Sequence, residues 1–264
     1  MIHATALVEE GACLGDGVDV GPYAVIEART EIGDGCRIGA HATIKTHTRL
    51  GAGCQVHAGA VLGDVPQDRS FGGEETFLRV GDRCVIREGV TLHRGTRPGT
   101  ATEIGAECFL MAFAHCAHNV VLGPRVVLAN GALLGGYAQV GEGAFISGNC
   151  LVHQFCKIGR LAMLGGGSGV SKDVPPFCTV KSLTANRLAG LNVVGLRRSG
   201  CAPAERQQIR RAFKLLYRSG RTVAEAIAEM RRTLEAPAAL EFCAFVEQSE
   251  RGVCGLQTGE GREG

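Results

Sequence analysis

The sequence predicts a left-handed parallel β-helix of hexapeptide repeats followed by a small α-helical C-terminal domain. Two observations predict it: an aliphatic residue recurs every six positions over most of the chain, and the period then becomes that of an amphipathic helix. Composition agrees. The 264 residues hold 39 glycines, no Trp and only 5% aromatics, which suits thin repeated layers better than a globule built around bulky rings.

Stepping by six from Ile2 gives Val8, Leu14, Val20, Ile26, Ile32, Ile38, Ile44, Leu50, Val56 and Leu62. The same phase resumes at Val80, Ile86 and Leu92, and runs from Ile104 to Val170 with Cys116 as its one non-aliphatic member. Six is neither a helical period nor a simple strand alternation. It fits a triangular coil of three hexapeptides, with the aliphatic inside, a small residue two positions earlier, and a following Gly at the tight corner. Most of the 12 cysteines occupy the small inward slot. They read as small hydrophobes rather than as disulfide or metal ligands.

Two stretches leave the pattern, 64–79 and 94–102, and the phase survives both. They are expected to be loops extruded from an intact stack over residues 1–190, and loops on a rigid scaffold are where function concentrates. A helical domain is expected over 191–251. Its first helix faces inward through Ile209, Ala212, Phe213 and Leu216. A capping box, Thr222 with Glu225, opens a second helix with Val223, Ile227, Met230 and Leu234. A third follows Pro237 and carries Leu240, Phe242, Phe245 and Val246. A disordered tail is expected over 252–264.

A net charge of +2 gives no case for nucleic-acid binding. No N-terminal segment reads as a signal peptide and no run of 18 apolar residues could span a bilayer, so a cytoplasmic protein without an integral membrane segment is expected.

The segment FAHCAHNVVLG (113–123) carries two histidines in an apolar run. Residues 18 apart stack about 4.8 Å apart in such a coil. Gly136 therefore lies one coil above His118, Gln154 lies two above, and His115, His118, Gly136 and His153 should share one side of the prism. Three readings stand. A zinc site needs three or four converging ligands, and the two-residue gap between the histidines disfavours it. A packed or solvated histidine is the plainest reading. A general base is the third: neutral imidazole can take a hydroxyl proton while that oxygen attacks a thioester, and a glycine N–H one coil away can receive the oxyanion. Cys116 falls on the inward phase and is a poor nucleophile.

The segments HCAHNVVLG, LANGALLGGY, VHQFCKIG, GGGSGVSKDVPPF, LNVVGLRRSG and IRRAFKLLYRSG together resemble the UDP-N-acetylglucosamine O-acyltransferase family over essentially the whole chain. The resemblance implies transfer of a 3-hydroxyacyl chain from acyl carrier protein to the sugar 3-hydroxyl of UDP-N-acetylglucosamine in lipid A biosynthesis, by a homotrimer that uses no cofactor and no metal. It implies His118 as catalytic base and Gly136 as the oxyanion-hole amide. Asp68, His115, His153 and Gln154 match residues around the sugar and acyl group, and Gly166 matches the chain-length ruler. Asn192 and Arg198 match the nucleotide-binding positions. The chain also departs from the family pattern. Asn119 stands where Asp is usual, Tyr137 where a His lies near the sugar, Ser70 for Lys, Val194 for Glu and Ser199 for a second Arg. These changes leave a 3-amino sugar nucleotide as an alternative acceptor; the fold alone would also suit an acetyl-CoA-dependent relative or a metalloenzyme. Arg206, Arg210, Lys214 and Arg218 form a basic stripe, read either as a solvated face or as a docking site for the acidic carrier protein.

Overall fold

The computed structural model describes residues 1–257. Among them, two- to five-residue strands build three sheets of nine, eight and eleven strands, one for each face of a left-handed β-helical prism. The first face runs from Leu7–Val8 to Gly169–Val170, the second from Cys13–Leu14 to Lys157–Ile158, and the third begins at Asp19–Val20. Pairing is parallel with an 18-residue step, as in His115↔Leu133 and Cys116↔Leu134. The step widens across the first excursion, Val61↔Thr91, and across the second, Thr91↔His115. Both loops therefore leave the stack with its six-residue phase kept, the first with a local register shift between Leu62 and Asp64. They are shorter than the sequence pattern suggested, because strands Val61–Asp64, Phe77–Val80 and Ala101–Ile104 reach into them.

The six-residue phase is the core. Ile26, Ile44, Leu62, Leu92, Leu110, Leu128, Leu134 and Ile146 are wholly buried, with a buried Ala, Cys or Val two positions before each. The exceptions lie in the first coil, where Ile2 is 52% exposed and Val8 and Leu14 are half-buried. Cys36, Cys54, Cys84 and Cys108 stack on successive coils, and their thiols donate to the carbonyls of Gly51, Gly81, Gly105 and Gly123 at 3.1–3.3 Å. Burial pushes the Cys116 thiol up to about 12.

One expectation is corrected. The glycines that follow the aliphatic do not supply the left-handed corner. At Gly123 a Cβ would lie 2.7 Å from the backbone N of Glu142 in the next coil, so close coil-to-coil approach selects glycine there. The positive-φ residue comes two positions later and is often not glycine: Asn119, Tyr137 and Phe155 all have φ near 60°.

The stack closes with Cys178–Val180, which pairs antiparallel with Arg187–Leu191. Four helices follow: α1 (Val193–Arg198), α2 (Pro203–Tyr217), α3 (Val223–Thr233) and α4 (Pro237–Glu247). The six-residue α1 was not legible in the pattern. The capping box at Thr222 and Glu225 forms as expected. The buried faces are Ile209, Ala212 and Phe213 on α2, Ala226 and Met230 on α3, and Ala239, Phe242, Cys243 and Val246 on α4. Val223, in the first turn of α3, and Leu240 are exposed. The tail expected from 252 is ordered through Gln257. Gly255–Leu256 pairs with Arg187–Leu188, and the Tyr217 hydroxyl donates to the Cys254 carbonyl at 2.9 Å. The remaining expected tail, 258–264, lies outside the described residues. Arg160 donates to Glu241 through Nε and Nη2, one edge of its guanidinium, fixing α4 to the prism.

Leu134→Ala should cost about 2–5 kcal/mol, the range for emptying a buried leucine site. Chemical denaturation would show a lower midpoint; an unchanged midpoint would mean that the coil interior repacks freely.

Candidate active site

His118 and Asn119 stand at the first corner of the prism, between strands His115–Cys116 and Val121–Leu122. The next two coils put Gly136–Tyr137 and Gln154–Phe155 at the same corner. The His118 ring lies directly against Gly136: a Cβ built there would be 2.5 Å from Cε1 and 2.6 Å from Nε2. No other residue type fits against that imidazole. The ring is only 13% exposed, and its Nε2 lies 3.8 Å from Asp68 Oδ2, carried by the first extruded loop. The Ser70 backbone N–H and then its hydroxyl, both 2.9 Å away, hold the Asp68 carboxyl below the usual carboxylate range, with His118 adding to the effect.

Gly136 N–H donates to no protein acceptor among the described residues. Equivalent corner amides elsewhere show what that position accepts. Asp16 N–H donates to Asp34, Ala28 to Glu9, Thr46 to Glu27 and Ala52 to Asp82, each at 2.8–2.9 Å. The corner amide of this fold is thus a recurrent carboxylate-oxygen site. At Gly136 it is free, beside an imidazole.

His115 faces outward on the first face. Its Nδ1 is 2.8 Å from Thr91 Oγ1, and its ring meets His93 edge-on at 5.3 Å. Burial, reinforced by His93, lowers its pKa to about 4, so it is neutral at physiological pH. His153 and Gln154 are exposed two coils above, with His153 Nδ1 3.0 Å from the Gln154 carbonyl oxygen and 3.4 Å from an Arg251 nitrogen. An apolar groove of about 400 Å³ runs across this face past His115, Ala117, Leu133, Leu151, His153 and Gly169. Gly166 stands at the third corner, beyond the far side of that face. A Cβ on Gly166 would meet only the Gly148 carbonyl oxygen, at 3.8 Å, so the space above it is open. A larger hollow, about 540 Å³, opens lower down around Arg29, His47, Arg49 and Phe77; it holds none of the expected residues, and the groove is the one continuous with the histidines.

The Tyr137 ring packs edge-on against His118 at 5.3 Å and stacks on Phe155 at 5.0 Å. Its hydroxyl is 3.0 Å from Thr96 Oγ1 of the second loop. His93, Thr96 and Phe155 escaped the sequence reading. Only the loop position of Thr96 hinted at a role.

Asn192 and Arg198 are not brought to His118 within one chain. Asn192 caps α1, accepting from Gly195 N–H at 2.9 Å, and donates through Nδ2 to the Leu161 carbonyl at 2.9 Å. Leu161 is at the second corner. Arg198 is exposed in the last turn of α1. Among the described residues no group of three His, Cys, Asp or Glu side chains is placed to hold a metal ion, and no helix is long and apolar enough to cross a membrane.

The geometry has close relatives. Residues 173–254 match the model of the UDP-N-acetylglucosamine O-acyltransferase second domain, and residues 29–64 match the bacterial transferase hexapeptide model. The acyl-[acyl-carrier-protein]--UDP-N-acetylglucosamine O-acyltransferase of Thiobacillus denitrificans is 46% identical over 96% of this chain and 98% of its own length. That of Alkalilimnicola ehrlichii is 47% identical over the same shares. The chain belongs to the UDP-N-acetylglucosamine O-acyltransferase family. The crystal structure of the Francisella novicida UDP-N-acetylglucosamine acyltransferase superposes with a TM-score of 0.93 at 32% identity, covering 97% of this chain and 94% of that one. The Campylobacter jejuni acyltransferase gives 0.91 at 33%, covering 97% and 100%.

The low pKa of His115 has a consequence for stability. The unfolded chain takes up the proton near the ordinary value of 6.5, and the folded chain only near 4. Stability is therefore full above about pH 6.5 and falls as the pH drops toward 4. Denaturant midpoints measured across that window should show a smaller loss in His115→Gln than in the parent; equal slopes would place the imidazole in water.

Proposed function

We propose that the chain transfers a 3-hydroxyacyl group from acyl carrier protein to the 3-hydroxyl of UDP-N-acetylglucosamine, an acylation of lipid A biosynthesis, with His118 as general base and Gly136 as oxyanion donor. The names of its full-length relatives support the reaction. The observation that carries the assignment of roles is the imidazole lying against a glycine whose N–H is unclaimed.

His118 Nε2 removes the proton of the sugar 3-hydroxyl as its oxygen attacks the thioester carbonyl. The carbonyl becomes a tetrahedral oxyanion, which the Gly136 N–H receives at a position where this fold elsewhere binds carboxylate oxygens. Collapse re-forms the carbonyl and breaks the carbon–sulfur bond. The thiolate of the carrier's prosthetic arm leaves and takes the proton from the imidazolium. Asp68 is placed to accept a sugar hydroxyl, with Tyr137, Gln154, His115 and His153 around the sugar and the acyl head. The acyl chain lies along the groove toward Gly166.

The active form is a cytoplasmic homotrimer. Asn192 is bonded at a different corner from His118 and caps the helix that carries Arg198, so in this reading the nucleotide bridges two subunits. An Arg fork suits its phosphate oxygens. The basic stripe of Arg206, Arg210 and Lys214 on α2 and Arg218 at its C-cap steers the acidic carrier protein.

His118→Ala should lower kcat by about 10²–10⁴-fold, the usual contribution of a positioned acid–base group, with the thermal midpoint little changed. Near-parental turnover in the folded variant would remove His118 from the mechanism. Gly166→Met should shift donor preference toward shorter acyl chains, since each excluded methylene is worth about 0.8 kcal/mol. An unchanged profile across a panel of acyl donors would place the chain terminus elsewhere.

A further inference from the structure

The partner of His118 is an amide. Asn119 Oδ1 lies 3.1 Å from His118 Nδ1, 3.0 Å from the backbone N of Thr96 and 3.0 Å from the Thr96 hydroxyl. A free asparagine can turn either its oxygen or its NH2 toward a neighbour, and so could select either tautomer of an adjacent imidazole. Here that freedom is removed. A backbone N–H can only donate, so the Asn119 atom facing Thr96 N must be the oxygen. The same oxygen faces His118. An acceptor oxygen 3.1 Å from Nδ1 requires the hydrogen on that nitrogen, which leaves Nε2 with its lone pair; Asp68 Oδ2, 3.8 Å from Nε2, is beyond hydrogen-bond distance and does not claim it.

We infer that Thr96 and Asn119 are positioning residues that fix the neutral tautomer of His118: the second extruded loop supplies an obligate donor, the donor orients the amide, and the amide selects Nδ1–H. The inference rests on His118 being the base, but the tautomer itself can be read without any assay.

Two further contacts hold the device rigid. The Asn119 backbone is in the left-handed region (φ 58°), which asparagine tolerates better than most residues, and its N–H donates to the buried Thr102 hydroxyl at 2.8 Å. The Thr96 hydroxyl also lies 3.0 Å from the Tyr137 hydroxyl, tying the aromatic wall to the same loop. Asn119 and Thr96 are both at least nine-tenths buried, so water does not compete for these bonds. A neutral partner differs from a carboxylate in one respect. It orients the ring without stabilising the imidazolium by charge.

The test is NMR of protein labelled with ¹⁵N at histidine, with the His118 signals assigned by their loss in His118→Gln. Two-bond proton–nitrogen correlations at a pH above the imidazole range report which ring nitrogen carries hydrogen. Nδ1–H is expected in the parent and in Asn119→Asp, and a mixed or Nε2–H population in Asn119→Leu. In turnover, Asn119→Leu should lose about 10–100-fold in kcat, the usual effect of removing an orienting partner, with KM nearly unchanged. Asn119→Asp should remain active while the acidic limb of its kcat/KM profile moves to higher pH, because a carboxylate favours the imidazolium. An Nε2–H parent, or a tautomer population indifferent to Asn119→Leu, overturns the inference even if His118 proves to be the base. An active His118→Ala would instead refute the base while leaving the NMR result standing.

Discussion

The register between successive coils is the constraint on which the site depends. Strands pair at an 18-residue step, about 4.8 Å apart, so side chains separated by many residues become vertical neighbours. This places Gly136 one coil above His118, against its ring, and Phe155 against Tyr137. A slip of one residue would turn every inward aliphatic outward, and the continuous buried column from Val20 to Val170 prevents it. The site needs no flexible assembly within the prism, because its geometry is set by the same pairing that makes the core.

The coil supplies one half of the chemistry and the excursions supply the other. A bare corner offers an imidazole, an unclaimed amide and an apolar face. The loop spanning 65–76 brings Asp68 to Nε2, and the loop spanning 94–100 brings Thr96 to the far side of the ring through Asn119. Both leave a stack whose phase they do not disturb, so they can vary without cost to the core. Thr96 bonds to both Asn119 and Tyr137, tying the second loop to two successive coils.

Much of this was legible in the sequence because the prism converts a linear period into space. The inward residues, the buried cysteines and the stacking of Gly136 on His118 follow from counting by six and eighteen. The parts that were not legible are those where the count ends. The left-handed corner position accepts Asn, Tyr, Phe, Arg and His as well as Gly, so no residue type marks it. Thr96 reaches Asn119 through the path of a loop, which no periodicity encodes. Helix α1 is too short to show a period, and the strand Gly255–Leu256 is ordered by tertiary contacts, its pairing with Arg187–Leu188 and the bonds that Cys254 makes with Tyr217 and Asp173. The positions of Asn192 and Arg198 relative to His118 depend on which corner each occupies, and that emerges only once the closing hairpin is folded.

The most direct measurement is the identity of the product formed from a 3-hydroxyacyl carrier-protein thioester when UDP-N-acetylglucosamine and its 3-amino counterpart are offered together. Mass spectrometry with alkaline hydrolysis distinguishes an ester from an amide. The account predicts a base-labile ester on UDP-N-acetylglucosamine, formed at the expense of the thioester in equal amounts. Exclusive formation of an amide, or transfer only from acetyl-CoA, would contradict it.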